Sequence, residues 1–255
     1  MINFIDKKTW PSHIYDVIYN NRLEIEKELE QENKIIISGD NYIKAIEKPK
    51  YNWTLEYLIK NIRKYDACVW HCTKLIEKEI IFNEGLKPLK KEYIKEVIDN
   101  LKRNGESEKV LYEVRKKAKE FEEAKGFSNR ESMIWFVFTE DMTNTIGCEG
   151  FFRYYGGEVT RRILGGDEEF FFPILEKIGT PYIIKCKIAI GDIAEYQISA
   201  LAKSLIGYIL AAERKECDYA FEAECYIRTK VEPENIIEIK KHEKSNRYRR
   251  SFFQI

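Results

Sequence analysis

Hydrophobic residues recur along this chain at two spacings, and each spacing marks out its own kind of element. From Pro11 onward Ile14, Val17, Ile18, Leu23, Ile25 and Leu29 stand out among glutamates and lysines as candidate buried positions, which predicts an amphipathic helix. Residues 34–38, KIIIS, then read as a short strand ending at the turn signal Gly39-Asp40-Asn41, and residues 54–64 as a second helix. Helical spacing returns at Tyr93, Ile94, Val97, Ile98 and Leu101. It breaks at Asn104-Gly105 and resumes at Val110, Val114, Ala118 and Phe121. We read two helices there, inserted at residues 90–125 over a cleft, and their alternating lysines and glutamates as a solvated face. Residues 199–213 form a mostly apolar helix with Leu201, Leu205, Ile206, Ile209 and Leu210 as its stripe.

The strand signals are of a different kind. Residues 132–139, SMIWFVFT, are a continuous aromatic and β-branched run of the sort buried on both faces. Residues 182–190, YIIKCKIAI, alternate, with Ile184, Cys186, Ile188 and Ile190 inward and Lys185 and Lys187 outward. Residues 67–73 put Val69, His71 and Thr73 on one face and Cys68, Trp70 and Cys72 on the other. A helix over residues 74–83 is then expected to bury Leu75, Ile76 and Ile80, with Gly85 as its left-handed cap, Leu86 as the following apolar contact and Pro88 as the stop. Residues 221–229 place Glu222, Glu224, Tyr226 and Arg228 on one side and Ala223, Cys225 and Ile227 on the other. Helices and strands are both well represented, and the class is α+β.

Composition narrows the function classes. In 255 residues, 43 basic side chains balance 43 acidic ones, so no global field draws the chain to nucleic acid or a membrane. No run reaches the about 18 apolar residues of a membrane span, and the first ten residues lack the apolar core of a signal peptide, so a cytoplasmic location without a membrane partner is expected. Cys68, Cys72, Cys148, Cys186, Cys217 and Cys225 are scattered and read as reduced thiols. With His13, His71 and His242 the only histidines, no metal site is expected.

Three stretches carry candidate chemistry. The first is His71-x-Thr73 at a strand end, followed by Asn83-Glu84-Gly85-Leu86-Lys87-Pro88. The second, residues 147–158 (GCEGFFRYYGGE), mixes permissive glycines with aromatics and reads as a ligand-lining loop and helix start; a Gly-rich turn among core aromatics is its plainer alternative. In the third, Glu222 and Glu224 share one face of a strand and repel each other unless solvent, a basic group or a ligand cation relieves them. Ion pairing with Lys185, Lys187 or Arg228 on an edge strand is the plainer reading there.

Taken in order, the His-x-Thr strand, the aromatic-glycine segment and the Glu-x-Glu strand, with Ala223-Glu224-Cys225-Tyr226-Ile227-Arg228 followed by Val231-x-Pro233-Glu234, resemble the ADP-ribosyltransferase-like fold. The relatives in view are the His-Tyr-Glu type, DarT-like toxins and RNA 2′-phosphotransferases. That resemblance implies a split, mostly antiparallel sheet, with a helical lead-in at 1–60, a catalytic core at 61–241 and a basic aromatic tail at 242–255. It implies transfer of ADP-ribose from NAD to a macromolecular acceptor, protein or nucleic acid, as in toxins or phage-defence effectors. In that scheme Glu224 is the catalytic glutamate and Glu222 the first acidic position. His71 holds a ribose hydroxyl, Thr73 and Arg228 support the nucleotide, and Tyr154 or Tyr155 stacks on nicotinamide. No Ser-Thr-Ser strand and no recognisable Gly-rich NAD loop accompany them, and Cys72 stands where many relatives have Gly or Tyr. The alternative is a non-catalytic nucleotide- or nucleic-acid-binding module on the same fold. The tail, with Arg247, Arg249, Arg250, Tyr248, Phe252 and Phe253, is either a nucleic-acid contact or a segment docked on the body.

Overall fold

The structure, a computed structural model, describes residues 1–38, 47–124, 130–165, 168–215, 221 and 223–243. The chain divides into two compact units, residues 1–68 with 189–224 and residues 69–188 with 225–255. The lead-in expected at 1–60 is therefore completed by a later stretch of chain.

In the first unit, helices α1 (Ser12–Ser38) and α2 (Pro49–Ile62) pack on each other and on α9 (Glu195–Glu213). The period of three and four decides which residues go inside: Ile14, Ile18 and Ile25 are buried, whereas Leu23 is exposed. The strand expected at 34–38 is instead the last turn of α1. Three isoleucines in a row satisfy either period, and nothing before Gly39 breaks the helix. Glu28 on α1 closes the start of α2, its carboxylate accepting from Lys50 N at 3.0 Å and Tyr51 N at 2.9 Å, where the first amides of a helix have no internal partner. Leu201, Leu205, Ile206, Ile209 and Leu210 of α9 are buried, as their spacing predicts.

The fold class is α+β. Strands β1 (Asp66–Leu75), β2 (Ile134–Val137), β3 (Thr180–Ala189), β4 (Glu224–Ile227) and β5 (Ile236–Lys241) form one sheet in the order β4-β2-β1-β3-β5. β1 runs antiparallel to β2 with Trp70 opposite Val137, and β3 runs antiparallel to β5. The alternation of β3 is as read, with Ile184, Cys186 and Ile188 buried between half-buried lysines.

The helix expected at 74–83 is corrected. β1 continues through Lys74 and Leu75, and only Glu79–Glu84 (α3) is helical; Ile76 and Ile80 are exposed and Ile81 is the residue buried. Gly85 does end it at φ 71°, but with ψ −167°, so it is an extended exit rather than a left-handed cap. That exit lets Leu86 exchange backbone hydrogen bonds with Val231, both at 2.9 Å. A Cβ at Gly85 would lie 2.0 Å from the Val231 carbonyl oxygen. Gly85→Ala is expected to lower stability by about 1–3 kcal/mol through backbone strain and displacement of that bridge. The midpoint of urea unfolding measures it, and an unchanged midpoint would contradict this account.

The insertion at 90–125 is two helices, α4 (Tyr93–Arg103) and α5 (Glu108–Glu123), joined through Gly105. Their buried Val97, Leu101, Val110, Val114 and Ala118 share one core with Tyr154, Tyr155, Val159, Ile163, Phe171 and Leu175. Those residues come from α7 (Gly157–Leu164), α8 (Glu168–Lys177) and the turn that joins α6 (Ile146–Arg153) to α7. The insertion is thus part of a helical core, not a cover over a cleft.

Candidate functional site

Sheet alternation settles which side chains share a face. Trp70 is opposite Val137, so Trp135, two residues along β2, belongs to the face of Trp70 and Cys72, and Phe136 to the face of His71. The rings agree: His71 meets Phe136 edge-on with centroids 5.8 Å apart, and Trp135 meets Tyr226 of β4 at 5.1 Å. On β4, Glu224 alternates with Tyr226. Cys225 and Ile227 are buried, Tyr226 is half-buried, and Glu224 and Arg228 are exposed.

His71 is turned inward on its own face. Its Nδ1 lies 2.8 Å from the Trp135 carbonyl oxygen, and because a carbonyl only accepts, Nδ1 carries the hydrogen. Burial pushes the imidazole below its ordinary value, partly offset by that hydrogen bond, so the ring is neutral near pH 7 and Nε2 is left as an acceptor. Thr73, on the same side of β1, is half-buried.

The other face carries a ladder of rings and guanidinium groups, of which sequence reading named Tyr226 and Arg228 and missed Trp135 and Arg130. The Arg130 guanidinium carbon lies 4.3 Å from the centroid of Trp135, Trp135 leans on Tyr226, and Arg228 lies 5.3 Å from Tyr226. Arg130 is held by Glu158 at 3.0 Å, which also pairs with Arg162 at 2.6 Å, and Arg228 donates to the Glu131 carbonyl at 3.0 Å. Trp135 Nε1 is buried and meets no acceptor among the described residues. The one signal available was half-buried Trp135 amid the buried run of β2, with Arg130 just upstream.

The two tyrosines considered for nicotinamide stacking are packed in the helical core. Tyr155 is 4% exposed and its hydroxyl accepts from Asn100 Nδ2 at 2.6 Å, while burial pushes its pKa up to about 12. Tyr154 is 6% exposed and its ring packs against Phe172 at 4.4 Å. The structure therefore brings Glu224, Tyr226 and Arg228 together on one side of β4, keeps His71 and Thr73 with Phe136 on the other face of β1, and sets Tyr154 and Tyr155 among α4, α5 and α8. Glu222 and the tail from residue 244 lie outside the described residues.

Two histidines, half-buried His71 and buried His242, make stability pH-dependent. His242 stacks on Phe152 at 3.8 Å, and burial, then nearby Lys240, lowers its pKa as burial lowers that of His71. Lys240 is itself paired with Glu140. A histidine whose folded pKa lies below its unfolded value, 6.5, binds its proton more readily when unfolded. Stability is then full above pH 6.5 and falls as the pH drops from there toward the depressed folded values. Urea midpoints between pH 7.5 and pH 5 should decline, and less steeply in His242→Gln.

Among the described residues no group of three or more His, Cys, Asp or Glu side chains is placed to hold a metal ion, and no helix is long and apolar enough to cross a membrane. The five described cysteines are buried and form no disulfide among the described residues. Comparison with family models, characterised proteins and solved structures finds no match.

Proposed function

We propose that this chain is a NAD-dependent ADP-ribosyltransferase that modifies a macromolecular acceptor, protein or nucleic acid, with Glu224 as its catalytic carboxylate. One observation carries the reading: on the edge strand β4, exposed Glu224 alternates with Tyr226, whose ring joins Trp135, Arg130 and Arg228 in one ladder. A dinucleotide asks for that combination. Its flat rings stack on aromatic faces, its diphosphate takes guanidinium donors, and its ribose hydroxyls need an acceptor.

In this proposal the bond from the nicotinamide ring nitrogen to ribose C1′ breaks, and its electron pair leaves with nicotinamide. The Glu224 carboxylate accepts from the ribose 2′-hydroxyl and stabilises the positive charge that spreads over C1′ and the ring oxygen. A nucleophile of the acceptor then forms the new bond at C1′ and loses its proton. Arg228, or Arg130 freed from Glu158, offers N–H donors to the diphosphate. Tyr226 takes the stacking role first considered for Tyr154 and Tyr155. His71 acts from the other face as a positioning residue, fixing the β2 backbone at Trp135.

The second reading, a nucleotide-binding module without turnover, is favoured by His71 lying away from the Glu224 side of the sheet. Nicotinamide release from NAD by the purified chain, with cell lysate as the source of acceptor, separates the two. Release establishes transfer or hydrolysis. NAD binding without release moves the conclusion to the binding module, and neither binding nor release rejects both.

A further inference from the structure

The aromatic-glycine segment has no role in that proposal, yet it is built around one side chain. Arg161, in the last turn of α7, lies with its guanidinium carbon 5.4 Å from the centroid of Tyr154 and 5.8 Å from that of Phe172. Those rings pack on each other at 4.4 Å, so they form a corner against which the cation rests. Beneath it is Gly150 of α6, where an added Cβ would stand 2.6 Å from Nη1 of Arg161. The glycine is therefore a cradle. Any side chain there would push the guanidinium off its seat.

What distinguishes Arg161 is what it does not bind. Arg153, 5.1 Å from the same Tyr154 ring, is paired with Glu176 and lies 4.0 Å from Glu149. Arg162 is paired with Glu158. Arg161 has no carboxylate and no carbonyl acceptor among the described residues, and its Nε is buried without a partner. A guanidinium offers five donors, and burying the one at Nε without a partner is costly unless something supplies an oxygen. Aromatic faces hold the cation but satisfy no N–H.

We infer that Arg161, seated by Gly150, Tyr154 and Phe172, is the anchor of a binding site for the phosphoryl group of a phosphorylated ligand. The fork of Arg161 matches two oxygens at once, and a multiply charged phosphoryl group gains more than a single carboxylate from a cation that no carboxylate compensates. The site is independent of the transfer chemistry at Glu224. It stands or falls on its own test.

That test is calorimetric titration of the full-length chain with inorganic pyrophosphate, with citrate as a carboxylate control. The wild-type chain should bind pyrophosphate. Arg161→Gln should weaken binding by about tenfold or more, the scale of a charge-assisted hydrogen bond. Gly150→Ala is the decisive variant because it leaves every charged residue in place and improves helix propensity, yet displaces the guanidinium; it should weaken binding with its thermal midpoint retained or raised. Arg161→Lys keeps the charge without the fork and should recover only part of the affinity. Equal pyrophosphate affinity in wild type, Arg161→Gln and Gly150→Ala would overturn the assignment, as would no wild-type binding at all. Citrate binding more tightly than pyrophosphate would overturn the phosphoryl specificity.

Discussion

Glu224→Gln should slow nicotinamide release from NAD by about 10²–10³-fold, the range seen when one group that stabilises transition-state charge is removed. The change conserves size and hydrogen-bonding capacity and deletes only the negative charge. Glu224 is exposed at the start of an edge strand, so the fold has little to lose. Thermal stability should stay within about 0.5 kcal/mol of wild type. In the proposal Tyr226, Trp135 and the flanking arginines hold the rings and phosphates, so KM for NAD should move much less than kcat. Loss confined to kcat is the signature of an interaction made in the transition state rather than on binding. Tyr226→Ala should give the opposite split, raising KM through the lost stack. A Glu224→Gln chain that releases nicotinamide at the wild-type rate would remove this residue from the chemistry and with it the transferase proposal.

The side of β4 on which Glu224 lies was legible in the sequence because strand alternation is a local property: Cys225 and Ile227 had to face the core, so Glu224, Tyr226 and Arg228 had to face away. Its neighbours were not legible. That Tyr226 meets Trp135, and that His71 shares a face with Phe136 instead, follows from the pairing of Trp70 with Val137, a contact across 67 residues of chain (137 − 70). The same division runs through the fold. The two helices of the insertion, the alternation of β3 and the apolar stripe of α9 were visible because period and breakers coincide there. Residues 34–38 were misread because a run of three isoleucines has no period of its own, and the insertion was set over a cleft because its partners, Tyr154, Val159 and Phe171, announce nothing about α4 and α5.

Lys74→Met should destabilise the chain by about 1–3 kcal/mol, the cost of leaving buried carbonyl acceptors without their donor. Lys74 is 6% exposed on the face of β1 that also carries Trp70 and Cys72. Its Nζ donates to the carbonyl oxygens of Arg153 at 3.1 Å, Leu175 at 3.2 Å and Glu176 at 2.6 Å. The first ends α6 and the other two lie in the last turn of α8, where helix carbonyls have no internal donor and the helix dipole favours a cation. One ammonium thus closes two helices onto one strand, and it does so with partners 79 to 102 residues away. This explains why β1 runs two residues past Thr73, where local pattern predicts a helix to begin. Methionine keeps the length and fills the space, so the loss would measure the carbonyls deprived of Lys74 rather than a cavity, that of Leu175 keeping its bond from Tyr155 N. Guanidinium unfolding of Lys74→Met and Lys74→Ala beside wild type reads it out. If Met matches wild type while Ala is unstable, the stem alone matters and the ammonium is not what joins α6 and α8 to the sheet.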